Sequence, residues 1–138
     1  MTEPEPQPIT ETDPLHRLVR RWAQAVNARD ADALNAESDP AVDVYPLQIA
    51  TVSGHYTGYD GMRRWLDDMV ASDIGHHVQF VGIRTCDDGR IALFGELYVE
   101  GKLISPYSLV ATIKDEKVAS MRSYLSDEET MRHLKLID

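Results

Sequence analysis

A single cysteine, Cys86, stands among 138 residues. That excludes an internal disulfide and any metal site built from several thiolates. No apolar run approaches the roughly 20 residues that a membrane-spanning helix needs. Basic residues are scarce: 14 Lys and Arg are set against 23 Asp and Glu, for a net charge of −9. Binding nucleic acid requires Lys and Arg clustered against phosphates, so no nucleic-acid partner is expected, and the acidity reads as a solubility charge. Met1 to Pro8 is acidic and proline-rich, without the basic and apolar stretches of a signal peptide. The expectation is a cytoplasmic chain that does not engage a membrane. Gly58-Tyr59-Asp60-Gly61 lacks the glycine spacing and the Lys of a phosphate loop. No His/Asp/Glu trio has metal-ligand spacing, since His76 and His77 are adjacent and point to opposite faces of an extended strand. Metal, nucleotide and other cofactors are therefore not expected.

What remains is an ordinary globular composition, 43% apolar, in a chain of one-domain length. Residues 1–13, with Pro at 4, 6 and 8, read as a disordered tail, and residues 14–138 as the domain. Asp13-Pro14 is an N-cap followed by Pro at the first helical position. The helix it opens runs to about Ala28 with Leu15, Leu18, Val19, Trp22, Ala25 and Val26 on one face. Asp30 caps a short second helix, Ala31 to Glu37. Val42 to Tyr45 alternates as a strand that Pro46 stops. A short strand at Tyr56 runs into the glycine turn at Gly58, which opens a third helix carrying Met62, Trp65, Leu66 and Met69 on one face. Four strand-like runs follow: His77 to Thr85, Arg90 to Glu100, Leu103 to Ile113 and Val118 to Leu125. Asp87-Asp88-Gly89 is a hairpin signal between the first two. A last helix spans Glu128 to Leu136. The order ααββαββββα predicts an α+β domain. In it a curved, mostly antiparallel sheet wraps around the N-terminal helices, forms a cone-shaped cavity and is followed by a C-terminal helix.

Four stretches carry a family resemblance. They are Val19 to Asp30, with its ending Asn27-Ala28-Arg29-Asp30; Ala41-Val42-Asp43-Val44-Tyr45-Pro46; Gly58 to Trp65; and Lys117 to Tyr124. In this order and spacing the chain resembles the nuclear transport factor 2-like superfamily, in its SnoaL-like, ketosteroid isomerase-like branch, over residues 14 to 137. The fold hosts isomerases, cyclases, dehydratases, hydrolases and non-enzymatic binders, so the resemblance implies a fold more than a reaction.

The catalytic sets of those relatives are not retained. The position of the ketosteroid isomerase general base is Tyr45 here. The helical oxyanion donor position is Trp22, and the second donor position is Ser108. An indole N–H donates but does not exchange a proton near neutral pH, and a tyrosine near pKa ~10 is a poor base. The last-strand Asp of epoxide hydrolase-like members maps to Ser123. The His of dehydratase-like members maps to His76, but its Asp partner maps to Asn27, which leaves half a dyad. The remaining acid–base candidates are Glu37, Tyr45 and His76. Glu37 is expected at the cavity end of the second helix, where burial would raise its pKa. Trp22, Trp65, Ser108, Met121 and Ser123 are the expected ligand-binding residues, with Met121 and Ser123 inward and Arg122 and Tyr124 outward. Ser108 and Val110 are placed inward, Tyr107 and Leu109 outward.

The register of residues 90–100 leaves two arrangements. With Phe94, Glu96 and Tyr98 outward, they join Tyr107, Arg122 and Tyr124 in an aromatic surface suited to a homodimer through the outer sheet face. With them inward, Glu96 becomes the cavity acid. The expected function is a SnoaL-like, polyketide cyclase-like enzyme of isomerase, cyclase or dehydratase type. It would act on a hydrophobic polyketide-, terpenoid- or steroid-like compound by general acid/base chemistry. The alternative is a non-catalytic binder of a hydrophobic small molecule, or a dimeric interaction domain of the same fold.

Overall fold

The computed structural model describes residues 7–10, 12–46, 54–72, 74–86, 88–125 and 127–133. A two-residue strand, β1 (Gln7–Pro8), leads to helix α1 (Pro14–Asn27). Asp13 caps α1 by accepting from the Leu15 N–H at 2.8 Å, and Pro14 supplies no N–H where none is needed. A short α2 (Ala31–Ala36) follows, capped by Asp30, which accepts from the Ala33 N–H at 3.1 Å. Next come β2 (Ser38–Tyr45), β3 (Tyr56–Thr57) and α3 (Gly58–Ser72). Gly58 makes the strand-to-helix corner at φ 73°, a conformation costly for a residue with a Cβ. The sheet is then completed by β4 (His76–Thr85), β5 (Arg90–Val99), β6 (Lys102–Lys114) and β7 (Lys117–Tyr124), with α4 (Asp127–His133) after it.

Among the described residues the strands form one seven-stranded sheet in the order β1-β4-β5-β6-β7-β2-β3. All pairs are antiparallel except β2 with β7, where Tyr45 lies beside Arg122 in parallel register. Register shifts interrupt four of the strand pairings; besides those in β2–β7 and β6–β7, two fall on the long β4–β5–β6 ladder. One lies at Val81, where the pairing steps from Phe80↔Gly95 to Gly82↔Phe94. The other lies at Ile104, where it steps from Leu97↔Ser105 to Tyr98↔Leu103. Such bulges sharpen the local twist and help the sheet curl around the helices. The inner face carries Leu93, Leu97, Tyr107, Leu109 and Met121, and the helices bring Leu18, Trp22, Val26, Met62, Trp65 and Leu66 against it. Trp22 and Trp65 are each 4% exposed; burying a large aromatic contributes roughly 4 kcal/mol as an upper bound.

The α+β architecture is the expected one, with differences at the edges. Residues 7–10 are not tail. Gln7 and Pro8 pair with Ile83 and Gly82, Ile9 packs against the core, and the Thr10 N–H donates to His16 Nδ1 at 3.0 Å. The rest of the expected tail, residues 1–6 and 11, lies outside the described residues except for Thr12 and Asp13. So do Asp87 of the hairpin signal and residues 134–136 of the expected last helix. The second helix ends at Ala36, one residue early, and Glu37 is its C-cap.

The inner and outer assignment of β6 is reversed from expectation. Tyr107 and Leu109 face the core, while Ser108 lies under α4 and bonds Thr130 (Oγ to Oγ1, 2.5 Å). Val110 sits with Ala92 and Phe94 in a small outer cluster against Cys86 and Tyr124. Phe94, Glu96 and Tyr98 all face outward, with the Tyr98 hydroxyl donating to Glu96 at 3.3 Å. No helix among the described residues is long and apolar enough to cross a membrane.

Candidate functional site

The inner face and the helices do not quite meet. Between them lies a narrow cavity of about 40 Å³, open to solvent at its mouth. Helix α1 contributes Trp22, Ala23, Val26 and Asn27 to its wall, and α3 contributes Trp65 and Met69. Alternate residues of the strands complete it: His76, Val78 and Phe80 from β4, Leu97 from β5, Tyr107 and Leu109 from β6, and Met121 from β7. Pro46 and Arg29 also border it. Aromatic faces dominate. Trp22 and Trp65 stand 5.9 Å apart between centroids at 34°, and Phe80 and Tyr107 stand 5.8 Å apart at 50°. Both are tilted arrangements that aromatic pairs favour.

The polar groups of the wall fall into two sets. One set is satisfied within the protein. The Trp22 N–H donates to Ser38 Oγ at 3.2 Å, and Ser38 in turn donates to the Leu34 carbonyl at 2.7 Å. Asn27 uses both ends of its amide on Val78, donating to its carbonyl at 2.8 Å and accepting from its N–H at 3.1 Å. That clamp ties the end of α1 to β4. Tyr107 shares a hydrogen bond with Ser123, and burial pushes its pKa up to about 12, against the opposing pull of that bond. The second set is not satisfied: Trp65 Nε1 and His76 Nδ1 are buried and have no hydrogen-bond partner among the described residues.

His76 and Arg29 form one corner. Arg29 sits in the left-handed region at φ 56°, an uncommon conformation for a residue with a side chain. Its guanidinium compensates by donating to the Val26 carbonyl at 2.8 Å and the His76 carbonyl at 2.6 Å. Burial lowers the Arg29 pKa from its ordinary value. The His76 pKa falls to about 4, chiefly because burial disfavours the imidazolium, then because of the Arg29 charge, then His77. His76 is therefore neutral at pH 7, one ring nitrogen donating and the other accepting. No carboxylate lines the cavity among the described residues.

No family profile matches the sequence, and no curated protein does. Solved structures match in fold. TerC co-crystallized with polyporic acid has a TM-score of 0.69 at 15% identity, over 89% of this chain and 99% of that one. An NTF2-like protein of unknown function from Burkholderia pseudomallei gives 0.67 at 15% identity, over 88% and 97%. A protein with a ketosteroid isomerase-like fold from Catenulispora acidiphila, in complex with trimethylamine, gives 0.63 at 17% identity, over 79% and 85%. The chain has the nuclear transport factor 2-like fold.

Within this NTF2-like cone, Trp22, Trp65, His76 and Met121 line the cavity. Ser123 sits one layer behind, on the Tyr107 hydroxyl. Three residues expected at the site lie elsewhere. Glu37 points away from the cavity and pairs with Arg21 of α1 through two hydrogen bonds, 2.9 and 3.1 Å. As the C-cap of α2 it reaches across the helix pair instead of into the cone. Tyr45 shares the outer face with Arg122, because Val42 and Val44 take the inward positions of β2. Its ring stacks on His55 at 4.3 Å, with the Arg122 guanidinium 4.3 Å from its centroid. Ser108 is buried beneath α4. Arg29, Tyr107, Phe80 and Met69 were not anticipated in the NTF2-like cavity. For Tyr107 a signal existed: Tyr107, Leu109, Ala111 and Ile113 form the more apolar alternate set of their strand.

Proposed function

We propose that the cone cavity binds a hydrophobic small molecule, held by aromatic faces and positioned by a few hydrogen-bonding groups. The observation that carries this reading is the composition of the wall. Trp22, Trp65, Phe80 and Tyr107 surround the space, and the expected acid–base residues Glu37 and Tyr45 are outside it. Concave, mostly apolar sites with few polar groups are the usual form of small-molecule sites. The TerC structure with polyporic acid supports the idea that a cone of this shape takes an organic ligand. The test has two arms. Native mass spectrometry of the purified protein is expected to show a co-purified small molecule or an empty chain that takes up naphthalene. Titration with naphthalene, followed by tryptophan fluorescence, is expected to saturate at one site per chain. Absence of saturable binding up to ~1 mM, near the weak limit of specific association, defeats the reading.

A second reading keeps chemistry in the cone, as an isomerase, cyclase or dehydratase on a polyketide-, terpenoid- or steroid-like skeleton. His76 favours it, because its Nδ1 is unpartnered and its imidazole is neutral. With a pKa of about 4 it would serve better as a hydrogen-bond donor that polarises a ligand oxygen than as a proton acceptor at neutral pH. We also propose a homodimer through the outer sheet face, on a smaller surface than first expected. Tyr107 has left that face, and Phe94 and Val110 are already buried within one chain. The row His77–Tyr98–Leu103, with Leu103 56% exposed, is what supports the contact. Light scattering at micromolar concentration tests it, and a monomer counts against it.

A further inference from the structure

Trp65 Nε1 is the exception in its surroundings. The side chain is 4% exposed, its nitrogen has no partner among the described residues, and it lines the cavity. An indole nitrogen can only donate. A buried donor left unmade carries the full desolvation penalty of the group, so such atoms are rare and call for an explanation. The other indole, Trp22, has its acceptor in Ser38. Asn27 and Tyr107 are satisfied as well.

The Arg29 corner of the same cavity has the same polarity. Arg29 adds a positive charge and spends only two of its N–H groups on the Val26 and His76 carbonyls. No carboxylate among the described residues opposes it. A ligand cation would find a like charge and no anion. A ligand oxygen would find an unused donor.

We propose that the ligand of this cavity carries a hydrogen-bond-accepting oxygen, carbonyl or deprotonated, seated on the Trp65 N–H, with an anionic oxygen favoured by Arg29. This rests on the cavity being a ligand site. The class is thus an aromatic or polycyclic ketone, enolate, phenolate or carboxylate, and alkylamines, protonated at neutral pH, are rejected. The acceptor is assigned to Trp65, while His76 Nδ1 can meet either a donor or an acceptor on the same ligand.

Four naphthalene probes of similar size decide the question: naphthalene, 2-acetylnaphthalene, 2-naphthoate and 2-(aminomethyl)naphthalene. Dissociation constants come from calorimetry at pH 7. The expected order is 2-naphthoate tightest, then 2-acetylnaphthalene, then naphthalene, with the ammonium weakest. The carboxylate is expected to exceed the ammonium by about tenfold or more, since hydrogen bonds to charged groups are the strong ones. In a ¹⁵N-labelled sample the chain shows one indole N–H signal for each of its two tryptophans. The Trp65 signal, identified by its loss in Trp65→Phe, is expected to move downfield with the oxygen-bearing probes and little with naphthalene. The Trp65→Phe protein loses part of an aromatic face along with the N–H, so it is expected to bind every probe more weakly and to lose most of the preference for oxygen-bearing probes over naphthalene. If that variant does not fold, the Trp22→Phe protein assigns the signal and the shift in the wild type decides.

Equal binding of all four probes, or tightest binding of the ammonium, overturns the oxygen assignment and leaves the hydrophobic site standing. An unshifted Trp65 signal with bound 2-naphthoate overturns it as well. Failure of every probe to bind overturns the assignment together with the site.

Discussion

Replacing His76 by Gln removes a titrating group from the cavity wall while keeping a polar side chain of similar reach. The free imidazole titrates near 6.5, and in the folded chain the value drops to about 4 through burial, the Arg29 charge and His77. Between those two pH values the unfolded chain takes up a proton that the folded chain does not. Acid therefore favours unfolding. The stabilisation is complete above pH 6.5 and is lost as pH falls towards 4. The gap of about 2.5 units corresponds to about 3.4 kcal/mol at 1.36 kcal/mol per unit. The ring is only half-buried, and solvent screening reduces this to about 1–2 kcal/mol. Roughly 1 kcal/mol of it should vanish between pH 7 and pH 5. Urea unfolding followed by tryptophan fluorescence at those two pH values, on wild type and His76→Gln, measures the difference. The carboxylates and the other histidines are common to both proteins and cancel. Wild type is expected to lose about 1 kcal/mol more than the variant on acidification. Equal losses would show that His76 titrates as it does in water, and that the corner is wetter than the geometry implies.

Glu37→Gln should leave naphthalene binding unchanged and cost less than about 1 kcal/mol, because its partner Arg21 is half exposed and such pairs contribute little; a tenfold change in affinity would return Glu37 to the site. Gly95→Ala should be severe. A Cβ there would stand 2.0 Å from the Gln79 carbonyl oxygen and 2.8 Å from Phe80 Cα, backbone in both cases. The expected loss is about 3 kcal/mol or more in urea unfolding, and a wild-type midpoint would contradict the close approach beside the bulge. Deleting residues 1–10 removes the β1 pairing, the Ile9 packing and the Thr10–His16 bond. The denaturation midpoint should fall by the equivalent of about 1–2 kcal/mol, where a free tail would leave it unchanged.

Element order was open to sequence reading because the signals are local. Asp13-Pro14, Asp30 and the corner at Gly58 mark helix starts by chemistry that acts within a few residues. Side-chain direction was harder, for reasons that Tyr45, Ser108 and Glu37 illustrate separately. Val42 and Val44 already indicated that Tyr45 faces out, and likewise Tyr107, Leu109 and Ala111 pointed Ser108 outward. Reading both strands through relatives, whose catalytic positions differ, inverted the assignment. The bulges at Val81 and Ile104 reset the alternation within a strand, and no residue type announces them. Glu37 was lost to a contact across the α1–α2 pair, which its position sixteen residues after Arg21 does not reveal. The Trp65 donor is invisible to sequence for a similar reason. Whether an indole N–H finds an acceptor depends on the surrounding groups in three dimensions, and here Trp22 does and Trp65 does not.

The parallel pairing of β2 with β7 also sets the timing of folding. Residue 45 lies beside residue 122, so the pairing that joins β2 to the sheet waits for β7, which is made after β4, β5 and β6. Helices α1 and α2 and strand β2 must wait for their partner while the intervening chain is made. At translation rates of about 5–20 residues per second, that wait is on the order of 4–15 s. Until then the apolar face of α1, Trp22 included, can meet β4 to β6 but lacks the cover that Val118 and Met121 of β7 provide. Local contacts cannot shorten the wait, because loop closure over such a distance comes before the contacts that reward it. A nascent chain arrested before Lys117 should therefore be a good client for chaperones that bind exposed aromatic surface, and release of β7 should end the association.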